Sequence, residues 1–265
     1  MLADHRVLVR GDGDVPVVFA HGFGCDQTMW RLVEPAFRDA YRTVVFDHAG
    51  AGRSAPSTYD ARRHARLQGY ADDVLRIVDA LGGEPVVYVG HSVGTMIGAL
   101  AAIARPSAFR ALVMVGPSPC YLDDGDYAGG HSREGIEQLL EALDGNYLGW
   151  SSDMAPVIAG DPDRPELAAE WRESFEAVDP AVARAFARVT FLSDNRADLP
   201  RVPTATLVLQ CTADSIAPEA VGRFTADALP DADFHRLAAI GHLPHLSAPR
   251  ETSDAVRAWL RGRGI

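Results

Sequence analysis

The chain has 265 residues, 47% of them hydrophobic, which excludes a disordered polypeptide, and no apolar run approaches the ~20 residues that cross a bilayer. All 25 basic residues are arginine, so a lysine nucleophile, a Schiff base and a phosphate-loop lysine are excluded. Residues 121–180 hold 15 Asp or Glu against three Arg, so one segment carries essentially all of the net charge of −11, which argues against nucleic acid or an anionic membrane as partner.

Residues 1–13 contain Asp4, Arg6, Arg10 and Asp12 and read as an entering strand rather than a leader. Short runs rich in Val or Leu follow at 15–20, 43–46, 85–89, 111–115 and 204–210, with a further strand-like stretch at 233–237. Continuous apolar runs of this length suit strands buried on both faces, hence a parallel sheet covered by helices. Helical spacing fills the gaps: 69–81 places Tyr70, Val74, Ile77, Val78 and Leu81 on one face, and 93–104, 221–229 and 252–261 are further helices. The alternation predicts a doubly wound α/β sheet. Between 121 and 198 the strand signal disappears and helices are expected at 132–143, 147–159, 165–178 and 180–192, with Asp179 as an N-cap. The expected organisation is a core of 1–120 and 199–265, with 121–198 as a helical lid over the carboxyl ends of the strands. Within it Leu139, Leu140, Leu143, Trp150, Val157, Trp171, Phe175, Phe186 and Phe191 are expected to face inward. Cys25, Cys120 and Cys211 are too scattered for a disulfide frame or a zinc knuckle, and a cytoplasmic protein is expected.

Gly90-His91-Ser92-Val93-Gly94 stands between a strand and a helix, the context in which G-x-S-x-G lifts a serine hydroxyl above a sheet. A serine needs a base, and His242, in a loop before the last helix, is the candidate; His245, His21 and His91 are its neighbours in sequence or motif. The acid that orients the base should leave a strand end, which Asp214 does, with Asp123 or Asp124 as the alternative. The order Ser, Asp, His matches one hydrolase architecture and neither common protease order. Oxyanion donors are expected at the amide of Val93, after the nucleophile, and at the amide of Phe23 in His21-Gly22-Phe23-Gly24. Asp47 in Asp47-His48-Ala49-Gly50 is expected to bind backbone amides. This chemistry needs neither a metal nor an organic cofactor.

These motifs, with Tyr127-Ala128-Gly129-Gly130 and Gly241-His242-Leu243-Pro244-His245-Leu246-Ser247, resemble one branch of the α/β-hydrolases. That branch contains the bacterial stress-signalling hydrolase RsbQ and the plant karrikin and strigolactone receptors. The resemblance implies a core sheet with a four-helix lid, Ser92, Asp214 and His242 as triad, and Phe23 and Val93 as oxyanion hole. It also implies a mostly apolar substrate site lined by Phe23, Val93, Trp150, Met154, Trp171 and Phe191. His131 falls at a lining position where the plant members carry an apolar aromatic residue, and so departs from their pattern. The expected activity is hydrolysis of a small apolar ester or lactone through an acyl-enzyme. Two alternatives stand beside it: an RsbQ-like signalling protein with slow hydrolysis that contacts a phosphatase regulator through its lid, and a triad enzyme with carbon–carbon hydrolase or cofactor-free peroxidase chemistry.

Overall fold

In the computed structural model, which describes residues 1–265, the apolar runs form one seven-stranded sheet. Its strands are β1 Leu8–Arg10, β2 Pro16–Ala20, β3 Arg42–Val45, β4 Val86–His91, β5 Phe109–Val115, β6 Thr206–Ala213 and β7 Ala232–Ile240. They lie in the order β1-β3-β2-β4-β5-β6-β7, with only β1 antiparallel to its neighbour. Residues 1–13 therefore contribute less strand than expected. Only Leu8–Arg10 pairs, all three residues are exposed, and an edge without an apolar face has nothing to extend it.

Alternation along each strand divides the core. Val18, Ala20, Val44, Val86, Tyr88, Leu112 and Met114 pack on one face with α1 (Leu67–Ala80) and α2 (Val93–Ala104). Val17, Phe19, Val45, Val87, Val89, Val113 and Leu209 pack on the other, against residues that include Val256 and Leu260. Because both faces are covered, the central strands carry no polar side and read as unbroken apolar runs.

Four helices are inserted between β5 and β6: α3 Arg133–Gly145, α4 Tyr147–Ala159, α5 Pro165–Glu176 and α6 Pro180–Phe191. Asp179 caps α6 by accepting from the amides of Ala181 and Val182. Their inner faces form a third apolar cluster with Cys25, Met29, Tyr121, Leu243 and Leu246 of the sheet layer. Val157 is an exception to the expected inward set. It is 42% exposed, because Trp150, Ser151, Ala155 and Ile158 define the buried stripe of α4 and Val157 lies off it. After β6 come α7 Glu219–Ala228, then β7, the one-turn α8 Pro244–Ser247 and α9 Pro249–Gly262. No helix is long and apolar enough to cross a membrane.

Candidate active site

Ser92 sits between β4 and α2 with φ 53° and ψ −125°, one of only two non-glycine residues with positive φ. That backbone turn projects the hydroxyl over the carboxyl end of the sheet, and two glycines permit it. A Cβ on Gly90 would lie 2.6 Å from the Gly94 carbonyl oxygen, and a Cβ on Gly94 would lie 2.8 Å from the His21 carbonyl oxygen. The motif thus needs one glycine to clear its own helix and the other to clear the end of β2. The Ser92 amide donates to the Val115 carbonyl at 2.9 Å, which ties the turn to β5.

His242 and Asp214 reach this hydroxyl from the far side of the sheet. His242 Nε2 is 2.8 Å from Ser92 Oγ, and its Nδ1 is 2.7 Å from Asp214 Oδ2. Facing a carboxylate oxygen, Nδ1 carries the proton, so Nε2 presents a lone pair to the serine. Asp214 Oδ1 accepts from the amides of Ile216 and Ala217 at 2.9 and 3.0 Å, so the turn after β6 holds the acid in place. Asp123 and Asp124 lie elsewhere: Asp123 accepts from the Gly130 amide, and Asp124 pairs with Arg196 at 2.8 Å. The His242 backbone is held at both ends. Its amide donates to the Ile158 carbonyl near the end of α4 at 2.8 Å, and its carbonyl accepts from His91 Nε2 at 2.7 Å. Burial, reinforced by the neighbouring His245 and His242, holds the His91 imidazole well below the usual histidine range, so it stays a neutral donor.

The amide of Val93 is in the first turn of α2, where no helical acceptor is available, and the amide of Phe23 donates to no other group. Both donors are thus free for an oxyanion. Phe23, Trp150, Met154, Trp171 and Phe191 come together as walls of a chamber of about 20 Å³ over Ser92. The Phe23 ring stands edge-on to Trp150, Phe175, Phe186 and Phe191 at 5.6–6.2 Å between centroids. Two expected wall residues are absent from it. Val93 turns its side chain into the sheet-side core, and His131 Nε2 donates to the Ile216 carbonyl at 3.2 Å.

Tyr121 also lines the chamber, with its hydroxyl 3.3 Å from Ser92 Oγ, a contact that the motifs do not announce. Burial pushes its phenol up to about 12, so it remains protonated. Its position after β5, the neighbour of β4, was the available signal, since loops at the carboxyl ends of adjacent strands share one crevice. Trp150 Nε1 and Thr190 Oγ1 line the same chamber and are buried polar atoms without hydrogen-bond partners.

Residues 17–255 match the model of the alpha/beta hydrolase family. The chain is 40% identical over 247 residues to the Karrikin insensitive 2 receptor CA of Petunia hybrida, covering 92% of this chain and 91% of the relative. It is 38% identical over 256 residues to the Strigolactone esterase D14 of Arabidopsis thaliana, covering 96% of each. Among solved structures, the hydrolase olei00960 from Oleispira antarctica superposes with a TM-score of 0.96 at 34% identity, over 98% of this chain and 96% of that one. With nearly its whole length matched and the fold superposed throughout, the chain belongs to the alpha/beta hydrolase family.

Proposed function

We propose that this hydrolase cleaves small, apolar esters or lactones by acyl transfer to Ser92. The observation that carries the reading is the continuous hydrogen-bonded chain from Ser92 through His242 to Asp214 at the floor of an apolar chamber. In the first step Ser92 Oγ attacks the acyl carbon while His242 Nε2 takes its proton, and Asp214 steadies the imidazolium. The carbonyl oxygen becomes an oxyanion held by the amides of Phe23 and Val93. His242 then returns the proton to the leaving alcohol, and water repeats the sequence on the acyl-enzyme. The aromatic walls favour an apolar acyl group or ring, and the unpartnered Trp150 N–H and Thr190 hydroxyl offer a donor and an acceptor for one polar group. A chamber of about 20 Å³ holds roughly one water, so substrate enters by displacing the walls, and helices α3–α6 act as a lid over the core. The three cysteines are free and buried, which suits the reducing cytoplasm.

The test is hydrolysis of phenyl acetate, with intact-mass measurement after exposure to a serine-reactive lactone. Ser92→Ala should lower kcat by about 10⁴ or more and abolish the adduct while the melting temperature stays nearly unchanged. Retention of a tenth of the rate, or an adduct on another residue, overturns the assignment.

One relative's description as a receptor supports a second reading, in which slow hydrolysis serves signalling and the acidic lid face meets a basic protein partner. Most of the lid acids, among them Glu134, Glu137, Glu141, Asp153 and Glu173, point into solvent. Such a partner would lose affinity steeply with salt, whereas hydrolysis of a neutral ester would not.

A further inference from the structure

A second cavity, of about 330 Å³, opens where β1, the end of β3 and the Gln27–Trp30 turn meet, and shares no wall residue with the chamber over Ser92. Five arginines (Arg6, Arg10, Arg31, Arg38 and Arg53) and three acids line it, a surplus of two positive charges in a chain of net charge −11. The acids are already engaged. Asp26 accepts from the Thr28 amide at 2.7 Å, and Asp47 accepts from the amides of Gln27 and Arg53, both at 2.9 Å. Glu34 binds Arg38 at 2.5 Å and also accepts from Thr43.

The guanidinium groups of Arg6 and Arg53 have no acceptor in the protein; these residues enter hydrogen bonds only through backbone groups, the Arg6 amide and carbonyl and the Arg53 amide. One further donor in the wall lacks a partner although it is buried, the Trp30 indole N–H. Trp30 is itself wholly buried, so its N–H has no water to bond instead. Forked donors with no carboxylate partner around a concave surface match an oxyanion, which accepts from guanidinium in parallel pairs. Arg6 adds a third sign. Apart from Ser92 it is the only non-glycine residue with positive φ, at 53°.

One wall residue connects this cavity to the lid. Arg31 holds Glu170 of α5 through both carboxylate oxygens, at 2.5 and 2.8 Å. Burial nonetheless raises the Glu170 carboxyl above its ordinary value, so the pairing only partly offsets desolvation. The next residue, Trp171, is a wall of the chamber over Ser92.

We propose that this arginine-lined cavity is an effector site for a small dianion, a phosphate monoester or a dicarboxylate, whose binding competes with Glu170 for Arg31. The site does not depend on the ester reading, since none of its residues touches the triad. An occupant that draws Arg31 away loosens α5 where it carries Trp171, and by linkage a displaced lid favours the occupant.

The experiment is calorimetric titration at constant ionic strength with inorganic phosphate and, separately, succinate as probes. Wild-type protein and Ser92→Ala should bind one equivalent with the same affinity, which separates this site from the catalytic one. Whichever probe binds more tightly identifies the oxyanion class. Arg6→Gln with Arg53→Gln, both exposed positions, should weaken binding at least about tenfold and leave ester turnover unchanged. Glu170→Gln should tighten it severalfold, because the internal competitor is gone. No saturable binding of either probe to about 10 mM, or binding indifferent to the paired arginine changes, overturns the site. Unchanged affinity in Glu170→Gln overturns the competition.

Discussion

His245 is wholly buried between the Trp30 ring, 4.9 Å away, and the His91 ring, 4.4 Å away, and neither of its ring nitrogens has a hydrogen-bond partner. Burial, with smaller contributions from His242, Arg31 and His21, lowers its pKa to about 3. The unfolded chain takes up a proton near the ordinary value of about 6.5, so on acidification the unfolded state binds a proton that the native state refuses. Stability at this site is therefore intact above that value and is lost as the pH falls toward about 3. Between about pH 7 and about pH 5 the loss integrates to about 2 kcal/mol for His245 alone. His91 and His48 are also held well below the usual range, mainly by burial, and act in the same direction. Against a total stability of roughly 5–15 kcal/mol, the protein should become fragile in mild acid. His245→Leu removes the ionisable group at similar volume, and replacing two unsatisfied nitrogens should cost little near neutrality. Urea denaturation of both proteins across this pH range measures the effect. The stability difference should shift by about 2 kcal/mol in favour of the variant by about pH 5. Parallel stability curves, or a native His245 that titrates near 6.5 by NMR, would refute the argument.

Asp214→Asn should lower kcat for phenyl acetate by about 10⁴, because Nδ1–H loses its carboxylate and the tautomer is no longer fixed, whereas Asp124→Asn should leave it nearly intact; the reverse ranking moves the acid elsewhere. Tyr121→Phe removes a hydroxyl 3.3 Å from Ser92 Oγ and should reduce kcat/KM by up to about tenfold. It should add no limb to the pH–rate profile, since the phenol stays protonated up to about 12. In Gly24→Ala the new Cβ would lie 2.5 Å from Trp171 Cζ2 at a φ of +72°, and Trp171 is stacked on Phe175 at 5.1 Å and has no room to retreat. Thermal denaturation should register a loss of about 2 kcal/mol or more, and an unchanged melting temperature would show that the ring gives way.

Local regularities carry much of this protein. A strand covered on both faces is apolar over most of its length, so β2, β4, β5 and β6 are visible as runs, and an amphipathic helix repeats every 3–4 residues wherever it packs. The elbow around Ser92 is local in part: Gly90 answers to the first turn of its own helix, whereas Gly94 answers to the distant end of β2. Contacts between distant segments have no such signature. His242 meets Ser92 across 150 positions because strand order brings the turns after β4, β6 and β7 to one crevice. The same packing brings Asp214, and not Asp123 or Asp124, to His242, places the Tyr121 hydroxyl beside Ser92 Oγ, and clamps the His242 backbone between Ile158 and His91. It also turns Val157 outward, takes His131 to the Ile216 carbonyl, and gathers five arginines from separate segments around one cavity. Residue type and spacing determine which elements form and where the serine-bearing turn lies; which side chains stand close to one another is decided by how those elements stack, since that proximity arises only when separate apolar faces are buried together.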